Sequence, residues 1–183
     1  ADTTGIEPQF SMVQYKQLAG GGSLRIINQG IPSALSRLGY SEKEAKQIEE
    51  YVVGTGRINP SIPMSRLVDS GFDEKLVNNI ESKLPTVFHI RSAFTPSILG
   101  TEFCKESLGM SQEQCDDPFF DVLGHLGFTS SEIDEANTVI IGRGTIEGAP
   151  GLNEEHLPIF DCASPGKGTR SIAPQGHVKM MAA

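Results

Sequence analysis

The chain has 183 residues, 38% of them apolar and 21% charged, with a formal net charge of −8 and no tryptophan. That length suits one domain or two small ones, and that apolar share supports a packed core, which excludes global disorder. The acidic balance works against whole-surface binding of nucleic-acid phosphates, and no apolar run approaches the roughly 20 residues needed to cross a bilayer.

Helix signals dominate the chain in order. Pro8 is read as the first helical residue of a segment carrying Phe10, Met12, Val13 and Leu18, ended by Gly20-Gly21-Gly22. Leu24-Arg25-Ile26-Ile27 is short and β-branched, so it reads as a strand or an extended link. Pro32 then opens a helix with Ala34, Leu35 and Leu38.

From there a unit recurs: a short helix, an aliphatic-Gly-aromatic corner, a capping residue, and another helix. Leu38-Gly39-Tyr40-Ser41 and Leu126-Gly127-Phe128-Thr129 are the clearest copies; Ser70-Gly71-Phe72-Asp73 and Leu108-Gly109-Met110-Ser111 are weaker ones. Glycine accepts the left-handed conformation that closes one helix, and Ser, Thr or Asp then caps the N–H groups of the next. Ser41 with Glu44, Ser111 with Gln114, and Thr129 with Glu132 have capping-box spacing.

The two strong copies lie 88 positions apart, and at that offset Val52-Val53-Gly54 meets Ile140-Ile141-Gly142, Gly56 meets Gly144, and Ile58 meets Ile146. The fold class expected is therefore mainly α: capped helix-turn-helix units in two related halves, joined by residues near 85–100. Ala45/Ile48/Val52, Leu76/Val77/Ile80/Leu84 and Ile133/Ala136/Ile140 form apolar stripes read as core. The stretch from Asp161 to Gln175 is rich in Gly, Pro, Ser and Lys and reads as an irregular loop, with a further helix starting near His177.

Candidate chemistry is sparse. Ala19-Gly20-Gly21-Gly22-Ser23 lacks the Lys-Ser/Thr ending of a phosphate-binding loop, and the reading favours a helix stop. Gly54-Thr55-Gly56 and Gly142-Arg143-Gly144 follow helices, the wrong context for a dinucleotide fingerprint. The histidines His89, His125, His156 and His177 have no metal-ligand spacing, so polar or capping roles are expected and no metal is assigned. Cys104, Cys115 and Cys162 form no CxxC pair and are odd in number, which fits a reducing cytosol and a cytoplasmic location. Cys104 reads as a buried core residue, and Cys162, in a loop beside Asp161, is the thiol to watch. Asp117, just before Pro118, is read as a helix N-cap. The opening Ala1-Asp2-Thr3-Thr4-Gly5 has no initiator methionine and no signal-peptide pattern, so the chain is read as a piece of a longer one.

Several stretches carry a resemblance. Asp2-Thr3-Thr4-Gly5-Ile6-Glu7-Pro8, Tyr15-Lys16-Gln17-Leu18-Ala19-Gly20-Gly21-Gly22, Leu24-Arg25-Ile26-Ile27-Asn28-Gln29 and Ile31-Pro32-Ser33-Ala34-Leu35 follow one another at the start. Glu147-Gly148-Ala149-Pro150, Glu155-His156-Leu157-Pro158-Ile159-Phe160-Asp161-Cys162-Ala163 and Gly176-His177-Val178-Lys179-Met180-Met181-Ala182-Ala183 follow at the end. In this order they resemble adenosylcobalamin-dependent (class II) ribonucleotide reductases over nearly the whole chain. Where the family pattern has a cysteine after the proline of the late loop, Gly166 stands here.

The resemblance implies a ten-stranded α/β barrel parent that reduces ribonucleotides by cobalamin-initiated radical chemistry. Its radical-cysteine stretch has no match here, so no catalytic residue is assigned to this chain. The implied division is a barrel-derived segment over 1–28, a duplicated helical insertion over 29–160, and an irregular loop returning to the barrel over 161–183. Thr3, Thr4, Gly5 and Glu7 are expected near the substrate. Adenosylcobalamin is expected as the parent's cofactor, with no cofactor residue assigned here. The expected partners are the rest of the reductase chain, a ribonucleotide and a second copy in a homodimer, with no nucleic acid and no membrane.

Two other classes compete. The Leu-Gly-Tyr and Leu-Gly-Phe corners resemble those of ubiquitin-associated domains, in which case Tyr40 and Phe128 should be exposed to a partner. A helix-hairpin-helix nucleic-acid binder needs a basic rim, which the acidic balance opposes.

Overall fold

The computed structural model of the chain describes residues 9–17, 19 and 23–183. It is mainly helical, with a single two-stranded sheet among the described residues. The chain divides into two compact units: unit 1 comprises residues 1–54 and 142–183, and unit 2 residues 55–141.

Unit 1 opens with strands β1 (Val13–Gln17) and β2 (Ser23–Ile27), antiparallel, with Val13 opposite Ile27 and Tyr15 opposite Arg25. The helix expected from Pro8 through Leu18 is therefore not formed over Val13–Gln17. The apolar residues there alternate rather than recur every third or fourth position, and pairing with the β-branched run Leu24–Ile27 satisfies the backbone. Pro8, Leu18 and Gly20-Gly21-Gly22 lie outside the described residues, but a strand, not a helix, precedes the glycines. Helices α1 (Gly30–Arg37) and α2 (Glu42–Val53) follow, and β2 packs on α2. A 3₁₀ turn (Glu154–Phe160) completes the unit's core of Met12, Leu35, Ile48, Val52, Ile146 and Phe160. A last helix, α10 (Pro174–Ala182), has no buried residue.

Unit 2 packs short helices around a larger core. In chain order they are α3 (Met64–Asp69), α4 (Glu74–Lys83), α5 (Pro96–Leu99), α6 (Thr101–Glu106), α7 (Gln112–Asp116), α8 (Val122–His125) and α9 (Ser130–Ile141). The stretch near 85–100 is part of the core: Ile90 and Ala93 are fully buried and Phe94 nearly so. Asp117 caps no helix. Its side chain accepts the Phe119 N–H (2.9 Å) in a turn, and α8 starts later, with Asp121 accepting the Gly124 N–H (3.1 Å).

The corners form as the local chemistry dictates. After α1, Gly39 takes φ +88° and the Tyr40 N–H reaches back to Leu35; after α8, Gly127 takes φ +80° and the Phe128 N–H reaches back to Leu123. Each next helix starts with a capping box: the Ser41 and Glu44 side chains exchange bonds with each other's backbone N–H groups, as do those of Thr129 and Glu132. Ser111 and Gln114 do the same at α7.

The two GxG triplets do more than end helices. In unit 1 the N–H groups of Arg143 and Gly144 donate to the Tyr51 and Val52 carbonyls at the end of α2 (3.0 and 2.8 Å). In unit 2 those of Thr55 and Gly56 donate to the Val139 and Ile140 carbonyls at the end of α9 (3.0 and 3.1 Å). Carbonyls that a helix terminus leaves without intrahelical partners are thereby satisfied. Gly142, at φ +86°, lies so close to α2 that a Cβ would fall on the backbone of Val52, Val53 and Gly54.

Candidate functional site

The densest polar arrangement among the described residues lies in unit 1, where Glu147 meets the loop Gly166–Arg170. Tyr51 OH donates to the Glu147 carbonyl (2.9 Å), and the Glu147 N–H donates to Thr145 Oγ1 (3.2 Å), which together fix the glutamate backbone. Its carboxylate then takes three donors. Oε1 accepts the Thr169 and Arg170 N–H groups (2.7 and 2.8 Å), and Oε2 accepts Thr169 Oγ1–H (2.7 Å). The Thr169 hydroxyl, followed by the Arg170 N–H, holds the Glu147 carboxyl below the usual carboxylate range. A Cβ at Gly168 would fall on Glu147 Oε1 and Thr145 Oγ1, so the carboxylate occupies space that only glycine leaves open.

Arg170 adds a second lock. Its Nε and Nη2 donate in parallel to the two Asp161 carboxylate oxygens, both at 2.8 Å. Asp161 precedes Cys162, which is buried; burial, and then the Asp161 charge, pushes its thiol pKa up. Cys162 and Asp161 line a cavity of about 140 Å³ with Gln9, Asn28, Ile31 and Phe160. Asn28 is only 2% exposed; its side chain donates to Gln9 and accepts the Gly30 N–H (2.8 Å). Burial and the neighbouring carboxylate disfavour the thiolate form of Cys162.

The sequence-derived candidates separate. Thr3, Thr4, Gly5 and Glu7 lie outside the described residues. Cys104 and Cys115 are neighbours in unit 2 and Cys162 is in unit 1; all three are free thiols, and burial, followed by the Cys115 charge, raises the Cys104 pKa. His89 accepts the Arg91 N–H and caps a 3₁₀ turn, and His125 Nε2 is 2.8 Å from the Leu108 carbonyl. His156 Nδ1 lies 2.7 Å from the Tyr40 hydroxyl oxygen. Among the described residues, no cluster of three His, Cys, Asp or Glu side chains is placed to hold a metal ion.

The aromatic corner residues face inward. Phe128 is buried under the Arg66 guanidinium, 3.7 Å from the ring centre, and Tyr40 is half-buried with its hydroxyl accepting the Asn153 N–H (2.9 Å). Neither ring is presented to a partner in the way a ubiquitin-associated corner requires. Unit 2 also carries thirteen Asp and Glu against six Lys and Arg, the wrong balance for gripping phosphates with helix hairpins.

Sequence reasoning missed the Glu147 arrangement. Its parts lie some twenty residues apart with no periodicity between them; the one local signal is the compact run Gly166-Lys167-Gly168-Thr169-Arg170.

No protein-family model matches the chain. Individual proteins do match along its whole length. It is 47% identical over 186 residues to a vitamin B12-dependent ribonucleotide reductase of Bradyrhizobium diazoefficiens, and 45% identical over 186 residues to one of Agrobacterium fabrum. The chain is similar over its whole length to one segment of these proteins. A Rhodopirellula baltica protein with the same description is 30% identical over 183 residues. Each alignment covers 100% of the present chain; the chain spans 15% of the length of the first two relatives and 9% of the third.

Two depressions among the described residues bear on the vitamin B12 of these relatives. The cavity of unit 1 and a groove of about 460 Å³ in unit 2, between α4 and α5–α6, are both small beside a corrin macrocycle. Neither has a histidine in its lining.

Proposed function

We propose that the chain is a structural segment of a ribonucleotide reductase that makes deoxyribonucleotides by adenosylcobalamin-initiated radical chemistry, and that it carries none of the catalytic residues. One observation supports this above others: among the described residues, the polar side chains placed above hold local structure. Cys162 lies in a different unit from Cys104 and Cys115, Glu44 and Glu132 cap helices, Glu147 holds a loop, and His89 and His156 cap or pair.

In this reading residues 1–28 and 161–183 belong with the parent's barrel, and 29–160 form the helical insertion. Helix α10 supports that placement. It exposes Val178, Met180 and Met181, more than half of each side chain, on a nine-residue helix too short to be stable without packing. The remainder of the reductase chain covers them. Thr3, Thr4, Gly5 and Glu7 lie near the ribonucleotide, and the parent works in the cytoplasm as a homodimer. No helix among the described residues is long and apolar enough to cross a membrane.

The insertion arose by duplication. The corner bonds of Leu38, Gly39 and Tyr40, the Ser41–Glu44 box, and the Thr55 and Gly56 bonds each have a counterpart 88 residues on. Local geometry repeated to this depth supports two related halves.

Isothermal titration of the chain with adenosylcobalamin, beside a reductase assay under reducing conditions, tests the reading. The expected result is no turnover. Measurable turnover would show that catalytic residues lie within the chain.

A further inference from the structure

The loop Gly166–Arg170 is built like an anion receptor that has its own anion. Two consecutive N–H groups and a hydroxyl converge on one carboxylate, from Thr169 and Arg170. Gly168 leaves open the space that a Cβ would fill. Two cationic residues belong to the same run: Arg170, whose guanidinium is held by Asp161, and Lys167, whose aliphatic stem lies against Gly144. Consecutive backbone N–H groups in a glycine-containing loop form the concavity that elsewhere receives phosphate or carboxylate oxygens. All three donors point at acceptor oxygens, an arrangement that suits an oxyanion.

We propose that the Gly166–Arg170 loop is a binding site for a phosphate group, and that Glu147 is its built-in occupant. The Glu147 carboxylate stands where two phosphate oxygens would sit. Phosphate and Glu147 compete for the same three donors, so the site opens only as the glutamate side chain withdraws. Tyr51 and Thr145 hold the Glu147 backbone and leave its side chain as the moving part. The site is distinct from the cavity beside Cys162, and the proposal does not depend on what the parent enzyme does.

The test is thermal unfolding of the chain and of Glu147→Ala with inorganic phosphate, against chloride at equal ionic strength. Phosphate stabilises many proteins non-specifically, so the quantity read is the difference between variant and parent chain. For millimolar affinity, about 10 mM phosphate raises the midpoint of Glu147→Ala by about 3–5 °C more than that of the parent chain. The double variant Glu147→Ala/Gly168→Ala loses the extra rise, because the new methyl fills the cradle. If Glu147→Ala does not fold, Glu147→Gln serves: its amide oxygen still accepts the two N–H groups, but the negative charge is gone and phosphate competes more readily, so a smaller rise of the same sign is expected. A folded variant whose midpoint responds to phosphate no more than the parent chain does overturns the proposal. So does a response that survives Gly168→Ala.

Discussion

Replacing Gly142 by alanine separates two reasons for a glycine that usually act together. Gly39, at φ +88°, has nothing within 4 Å of the position a Cβ would take, so Gly39→Ala suffers only the left-handed backbone. That costs about 1–2 kcal/mol, offset in part by the reduced freedom of the unfolded chain. Gly142 has nearly the same φ, +86°, but its Cβ would fall on main-chain atoms of Val52, Val53 and Gly54. The backbone there ends α2 and cannot give way as a flexible side chain would. Relief requires residue 142 to retreat from α2, which breaks the Arg143 N–H bond to Tyr51 and the Gly144 N–H bond to Val52. Two hydrogen bonds are worth about 2 kcal/mol together, and loosening fully buried Val52 and Ile146 adds a similar amount. Gly142→Ala is therefore expected to cost about 3–4 kcal/mol more than Gly39→Ala, or roughly 10 °C in Tm. Gly144→Ala, at φ +69° and meeting only the Lys167 stem at 3.3 Å, should behave like Gly39→Ala. Urea unfolding followed by circular dichroism at matched m-values measures all three. Equal costs for Gly142→Ala and Gly39→Ala would refute the close-approach argument.

Three further outcomes follow from particular bonds. Tyr40→Phe removes the acceptor of the Asn153 N–H and the partner of His156 Nδ1, and should cost about 1–2 kcal/mol in the same urea experiment. Ser41→Ala and Thr129→Ala each break a capping box of the same geometry, so each should cost about 1 kcal/mol; a difference much larger than that between them would count against equivalent corners. Hydrogen bonds from Thr169 and Arg170 lower the Glu147 pKa, those from Ser41 lower that of Glu44, and those from Thr129 lower that of Glu132. Carboxylates with depressed folded pKa values add stability above the ordinary value of 4.5 and lose it as pH falls through the folded values. Acid titration of the unfolding midpoint should therefore fall steeply below pH 4.5, and less steeply in Glu147→Gln.

What could be read from the sequence was the local chemistry. A corner such as Leu126-Gly127-Phe128-Thr129 is specified within a few residues, so the left-handed glycine, the inward phenylalanine and the capping box with Glu132 all appear in place. The stripes through Ile48/Val52 and Ile133/Ala136/Ile140 became core for the same reason. Residues Val13–Gln17 went the other way because their partner is a second strand, and pairing across a connection is invisible to helix periodicity. Asp117 carried a cap signature but closes a turn, since the following Pro118-Phe119-Phe120 has no apolar helical repeat to extend. The burial of Ile90 and Phe94 had no periodic signal in the sequence, because the 3₁₀ turn there is too short to show a period. Glu147 with Thr169 and Arg170 could not be read at all, being joined only by the fold.

The scaffold reading is tested most directly in a full-length reductase carrying this segment, by replacing Cys104, Cys115 and Cys162 together with alanine and measuring kcat on protein shown to be folded. Thiols that only pack should leave kcat within about threefold of the parent enzyme, since a lost transition-state contact of even 1.4 kcal/mol is tenfold. A loss of a hundredfold or more with the fold intact would place a reacting thiol inside this chain and contradict the account.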